Sequence, residues 1–198
     1  MQKNTRLAES SSHTVTKMAK ENLEFEVEIP QGVTLSQDGR VLTVKGEKGE
    51  VSREFRSKRV VLELKDDKVL VIAKNPTQRE KMLVKTFVAH VNNLCRGVME
   101  GHTYKLKICS GHFPMNVSLK GDVFEVKNFI GEAVPRRMQV KPGADVKIDG
   151  EVITVTGIDK ERVAQVAAQI EKLTKRPGFD TRIFQDGIYL TEKDGKKI

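Results

Sequence analysis

The chain has 198 residues, with 35 Lys and Arg against 27 Asp and Glu and a formal net charge of +8. That length suits two domains of about 80–90 residues, each near the lower end of self-sufficient cores, and the basic balance is compatible with a polyphosphate partner. No apolar run approaches the roughly 18–20 residues of a membrane span, and Cys95, Cys109 and four scattered histidines make neither a disulfide framework nor a metal site.

Residues 1–22 are polar, contain Ser10-Ser11-Ser12 and lack an apolar stretch, so they read as a disordered extension and not a secretory signal. Lys3, Arg6, Lys17 and Lys20 outnumber Glu9 and Glu21, the balance of a mitochondrial transit peptide, but the disordered extension is the default. Met18-Ala19-Lys20 leads directly into the first strand, so Met18 competes with Met1 as the start. Residues 24–29 alternate polar and apolar, the period of a half-buried strand, and Pro30-Gln31-Gly32 ends it. Residues 33–35 and 41–44 flank Asp38-Gly39, a hairpin signal because both turn residues tolerate positive φ. Strands follow at 50–55, 60–64 and 69–72, the last two joined by Asp66-Asp67. A helix then starts at Asn75-Pro76, or one step later at a capping box, Thr77-x-x-Glu80. Val84, Phe87, Val88, Val91, Cys95 and Val98 form its apolar stripe, and Gly97 or Gly101 marks its end.

From residue 104 the plan repeats. Residues 104–109 alternate as a strand; Val117, residues 123–126, Val134, 146–148 and 152–155 belong to later strands. Gly157-Ile158-Asp159 then caps a helix with Val163, Val166, Ala167, Ile170 and Leu173 inward. Residues 181–184 and 188–190, around Asp186-Gly187, read as a short hairpin. Sliding the chain along itself by 82 positions makes this formal, with seven identities in the fifteen pairs from Ser36/Ser118 to Glu50/Glu132. A long period seen twice means two similar domains, each of short antiparallel strands in two sheets plus one helix, the α+β class. The expected divisions are 1–22, 23–99, 100–175 and a basic tail, 176–198.

Catalytic motifs are absent: there is no HExxH, no Walker loop and no GxSxG. Aspartates 38, 66, 67 and 149 sit in turns for backbone reasons, and His90 lies beside the first helix's apolar stripe as a structural residue. Gly46-Glu47-Lys48-Gly49 matches the GXXG loop of KH domains, yet it joins two strands here, and a plain hairpin connection is the favoured reading. Each half carries +4, with 18 basic and 14 acidic residues up to position 100 and 17 and 13 beyond it. Binding must therefore come from clusters. Unit one has Arg53, Arg56, Lys58 and Arg59. Unit two has Arg136, Arg137 and Lys141, then Lys172, Lys175 and Arg176, then Arg182, Lys193, Lys196 and Lys197, beside Gly178, Gly187 and Gly195. Cations in a last helical turn also complement the helix dipole; accumulation near glycines, where backbone and phosphate approach closely, points to RNA.

Gly111-His112-Phe113-Pro114-Met115-Asn116-Val117 and Val126-Lys127-Asn128-Phe129-Ile130-Gly131-Glu132 resemble the archaeal and eukaryotic branch of universal large-subunit ribosomal protein six, numbered nine in eukaryotic naming. So do the junction 97–105 and the closing Arg182-Ile183-Phe184-Gln185-Asp186-Gly187-Ile188-Tyr189; the likeness spans roughly residues 23–198. That family is an internal duplication of a small two-sheet, one-helix domain. The resemblance implies a non-enzymatic, cofactor-free structural constituent of the cytoplasmic large ribosomal subunit. It would bind 23S-type rRNA, chiefly through the second domain and C-terminal segment, near the base of the lateral stalk and the factor-binding sarcin–ricin region. Its partners would be that rRNA, neighbouring large-subunit proteins and nearby translation factors, with no membrane and no small-molecule substrate. The bacterial branch has a glycine- and lysine-rich stretch where this chain has Pro177-Gly178-Phe179-Asp180-Thr181-Arg182, so contacts there do not transfer. The candidate contacts are phosphate-facing Arg136, Arg137, Lys172, Lys175, Arg176, Arg182, Lys193, Lys196 and Lys197. Gly178 and Gly187 would allow close backbone approach, and His112, Phe113 and Tyr189 would stack on unpaired bases. A free-standing RNA-binding or RNA-chaperone protein is the alternative. The tail from 177 to 198 is expected to order on RNA and not within the domain core, because a lone hairpin is marginal in water.

Overall fold

The computed structural model describes residues 16–18, 22–65, 68–111, 113–180 and 182–198. The turn expected at Asp66-Asp67, the candidate His112 and most of the N-terminal extension lie outside them. Two compact units emerge: Met1–Thr43 with Ser52–Asn92, and Val44–Val51 with Asn93–Ile198.

In the first unit, β1 (Thr16–Met18), β2 (Asn22–Glu28), β7 (Lys68–Lys74) and β6 (Val60–Lys65) form an antiparallel sheet in the order β1-β2-β7-β6. The pairing of β1 with β2 orders three residues of the stretch expected to be disordered, because a strand's outer edge is a row of unmet N–H and C=O groups. A three-stranded sheet of β3 (Thr34–Asp38), β4 (Val41–Gly46) and β5 (Gly49–Glu54) follows the order β3-β4-β5, with Val44–Val51 of β4 and β5 counted in the second unit. Helix α1 (Gln78–Met99) turns Val84, Phe87, Val88 and Val91 inward. Its start is the capping box: the Thr77 N–H donates to Glu80 Oε2 at 3.0 Å, and the Thr77 hydroxyl reaches the same carboxylate. Its end is Gly101, at φ 77°, whose N–H bonds the Gly97 carbonyl at 3.0 Å. His90 sits 3.3 Å from Arg53 and edge-on to Phe55, a packing role. Burial pushes the Cys95 thiol up to about 11, so it stays an inert thiol inside the helix stripe.

The second unit repeats the order. β8 (His102–Cys109), β13 (Val152–Gly157) and β12 (Asp145–Asp149) match β2, β7 and β6, and β9 (Asn116–Lys120), β10 (Val123–Lys127) and β11 (Arg136–Gln139) form the small sheet. Helix α2 (Lys160–Leu173) starts 82 positions after α1 and is capped by Asp159, whose carboxylate accepts the Glu161 N–H at 2.9 Å. Phe124, Val126 and Phe129 from the small-sheet side meet Leu106, Ile153, Val155, Val166 and Ile170 in one core.

Three expectations fail here. Val134 is not in a strand: it lies in a bend, 78% exposed, because Pro135 has no N–H for a ladder and β11 begins only at Arg136. The hairpin around Asp186-Gly187 does not form. The N–H groups of Ile183 and Phe184 are consumed by the Asp180 carbonyl, at 3.1 and 2.9 Å, and have none left for pairing. The tail is not a segment waiting for RNA. Its residues Gly187–Lys193 form β14, which pairs with β8, and β15 (Lys196–Lys197) extends the sheet to β12-β13-β8-β14-β15. Ile188 is buried in the core, and the hairpin turn is Asp194-Gly195, both at positive φ as a tight turn demands.

The duplicated turns match the sequence reading: Gly39 and Gly121 have φ of 58° and 57°. Nothing lies within 4 Å of a Cβ built at either position, so only the backbone opposes a side chain there. Gly39→Val and Gly121→Val should each cost about 1–2 kcal/mol. Chemical denaturation of each variant checks this, and an unshifted midpoint would mean the turns relax freely.

Candidate nucleic-acid interface

The GXXG tetrapeptide Gly46–Gly49 forms a packed hairpin tip. A Cβ at Gly46 would sit 2.8 Å from Val98 Cγ2, and one at Gly49 (φ 138°) 2.8 Å from Ile158 Cδ1, while the Lys48 N–H bonds the Val98 carbonyl at 3.0 Å. These glycines serve close packing at the hairpin tip, as the hairpin reading expects.

The richest surface of the second unit lies where α2 ends. Thr174 is buried, and its hydroxyl accepts the Ile188 N–H at 2.9 Å, tying the helix end to the start of β14. Between them the chain makes an excursion, 175–186, which Pro177 and Gly178 (φ 86°) bend and Asp180 closes. That bend returns Phe179 beneath Arg176, whose guanidinium carbon stands 4.0 Å from the ring centroid. Phe184 then meets Phe179 edge-on, centroids 4.8 Å apart. A groove of about 270 Å³ opens here, walled by Phe129, Ile130, Phe179, Phe184 and Tyr189. Lys175 and Arg176 supply its positive rim, with Glu171 and Asp186 also on the wall. Phe179, Phe184 and Tyr189 remain 37–41% exposed. Burial, then the negative fields of Cys109, Asp186 and Glu171, push the Tyr189 phenol upward, so it stays a neutral hydrogen-bond donor.

Arg136 braces this groove from within. It bonds both carboxylate oxygens of Glu132 at 2.7 and 2.8 Å, donates to the carbonyls of Leu173 (2.7 Å) and Lys175 (3.3 Å), and stacks 4.3 Å over Phe129. Its donors are committed inside the unit. Arg137 pairs at 2.8 Å with the buried Glu125 carboxylate. The hydrogen bonds from Arg136 and Arg137 hold the Glu132 and Glu125 carboxyls below the usual carboxylate range. A carboxyl depressed in the fold stabilises it fully above its unfolded value, about 4.3, and loses that contribution as pH falls through the folded value. Acid titration followed by circular dichroism should therefore show stability dropping below about pH 4.3, and Glu132→Gln should flatten that limb.

The other sequence candidates divide in two. Phe113, 40% exposed, flanks Gly131, where a Cβ would lie 3.7 Å from its ring. Lys172 is exposed on the last turn of α2, Gly178 is open, and a Cβ at Gly187 would stand 3.2 Å from the Tyr189 ring. Arg182 is exposed and paired with Asp180 at 2.8 Å. Lys193, Lys196 and Lys197 lie away from the groove, on the exposed β14–β15 hairpin opposite Tyr104, with no ion-pair partner among the described residues. Phe129, Phe179 and Phe184 were missed as site residues. The available signal was Arg176 three positions before Phe179 across Pro-Gly, a bend that stacks the two.

Comparison with known proteins finds the same duplication. The family model for Ribosomal protein L6 matches residues 29–101 and 113–187, once for each unit of the duplication. Large ribosomal subunit protein uL6 of Methanococcus vannielii is 42% identical over 173 residues, covering 87% of this chain and 95% of that protein. The uL6 proteins of Aeropyrum pernix (44% over 169 residues; 85% and 93%) and Methanosarcina mazei (43% over 167 residues; 84% and 95%) are similarly matched.

Proposed function

This chain belongs to the ribosomal protein L6 family, of archaeal type, and from that premise we propose that it is a structural, non-enzymatic constituent of the cytoplasmic large ribosomal subunit that binds large-subunit rRNA through its second unit. We further place it near the stalk base and the factor-binding region, beside other large-subunit proteins, as the family resemblance implies. One observation carries the RNA reading: exposed Phe179, Phe184 and Tyr189 line a groove rimmed by Lys175 and Arg176. Aromatic faces stack on unpaired bases while cations neutralise phosphates, and each stacked base contributes about 1–3 kcal/mol. Arg136 then acts by positioning, and Lys193, Lys196 and Lys197 add phosphate contacts from the neighbouring hairpin.

The test compares full-length protein with Phe179→Ala, Phe184→Ala and Tyr189→Ala for binding to a domain-sized piece of large-subunit rRNA. A fragment cut at residues 99 and 100 is the wrong tool, since Val44–Val51 groups with the second unit. A loss of about 10- to 100-fold for at least two variants is expected; unchanged affinity in all three would remove the groove from the interface. Sedimentation with large subunits through a high-salt wash separates this role from a free-standing RNA chaperone.

A further inference from the structure

The basic cluster of the first unit is not used by that proposal. Arg40, Arg56, Lys58, Arg59 and Arg79 converge on a cleft of about 720 Å³, against one lining carboxylate, Glu80. Glu80 pairs with Arg59 at 3.6 Å, and Glu54, just outside, holds Arg56 at 2.7 Å. Lys58 and Arg79 are exposed and have no ion-pair partner among the described residues. The rim is shaped: Ser57 Oγ accepts the N–H groups of Arg59 and Val60 at 3.3 and 3.0 Å, and the Phe55 N–H bonds the Arg40 carbonyl at 2.8 Å.

A second recess of about 200 Å³ adjoins the cleft and shares Arg40, Ser57 and Lys58 with it. Its floor is apolar, made of Leu42, Phe55, Val60, Leu62 and Phe87, with Val61, 51% exposed, at the lip. Phe55 and Phe87 are buried and packed edge-on at 5.0 Å, so neither presents a face to a base. Among the described residues, the large exposed apolar ones of this unit are Val41, Val61, Leu64 and Met82, none aromatic, whereas the exposed aromatics Phe113, Phe179, Phe184 and Tyr189 belong to the second unit. A single-stranded RNA site needs stacking platforms. This one offers cations and an aliphatic-sized socket instead.

We propose that the cleft and recess of the first unit dock an acidic protein segment, its carboxylates meeting Arg40, Arg56, Lys58 and Arg79 and one apolar side chain entering the Leu42–Val61 recess. The cleft shares no lining residue with the RNA groove, and the two are tested separately. Full-length protein is titrated, at low and physiological salt, with a labelled glutamate-rich peptide bearing one central leucine. The same peptide with serine in place of leucine, and a single-stranded oligouridine, serve as comparators. Lys58→Glu combined with Arg79→Glu should weaken the leucine peptide by about tenfold or more and flatten its salt dependence. The neutral Val61→Asn should weaken the leucine peptide but not the serine peptide, and Phe179→Ala should change neither. No binding of the leucine peptide at low salt overturns the proposal, as does equal affinity for the two peptides. Charge reversal that weakens oligouridine while sparing the peptide would reassign the cleft to RNA.

Discussion

Removal of residues 192–198 is expected to destabilise the second unit by about 2–4 kcal/mol, the cost of leaving a buried ring and a backbone N–H without their acceptor. The reason is Asp194. His102 is 1% exposed, with Nδ1 2.9 Å from Asp194 Oδ2 and Nε2 3.1 Å from the Asn93 carbonyl. Each ring nitrogen therefore has an acceptor within hydrogen-bond reach, one on either side of the ring. The other Asp194 oxygen accepts the Thr103 N–H at 3.0 Å, and Glu192 pairs with Lys105 at 3.1 Å. Truncation leaves the buried ring and that N–H unmet and uncovers the edge of β8. The neutral replacement Lys193→Gln with Lys196→Gln and Lys197→Gln separates anchoring from binding. It should leave stability within about 0.5 kcal/mol, while lowering the slope of rRNA affinity against salt by roughly two to three. Thermal unfolding of both variants reads the first effect, and a salt titration of the triple variant reads the second. A truncated chain that melts like the full one would sink the structural assignment of this hairpin.

Arg136→Ala is expected to cost about 2–4 kcal/mol, because it strands a carboxylate and two carbonyls at once. The figure sits below the fully buried limit since the Arg136 and Glu132 side chains keep 23% and 30% exposure. Arg137→Ala should cost less, for Lys127 stands 3.6 Å from Glu125 and remains as a partner. Denaturant unfolding of the two variants ranks them. Near-equal losses would show that the Leu173 and Lys175 carbonyls find water without penalty. Weaker RNA binding by Arg136→Ala should follow its loss of stability, and Arg136→Lys should rescue little, as one ammonium cannot replace a guanidinium fork.

Much of this protein is local and periodic, and was therefore legible in the residues. The 82-residue repeat reappears as paired helix starts at Gln78 and Lys160 and paired αL turns at Gly39 and Gly121. The helix stripes and alternating strands landed on buried faces, since periods of 3.6 and 2 follow from backbone geometry alone. Cluster membership was partly legible: Lys175, Arg176 and Tyr189 do line one groove.

What tertiary structure alone decided is where the C-terminal segment goes. Residues 181–184 and 188–190 read as a short hairpin in a basic tail because turn and charge signals are local, whereas β8, the strand partner of residues 187–193, lies about eighty residues upstream. No window of neighbouring residues carries that pairing. The roles of Arg136 and Asp194 were hidden for the same reason. A cation in a basic cluster reads as phosphate-facing until the Leu173 carbonyl and the Phe129 ring are found around it. An aspartate before glycine reads as a turn residue until a buried histidine ninety-two positions away is found against its carboxylate. Which charges face solvent and which are consumed inside depends on the packing of distant segments, and only the folded chain brings those segments together.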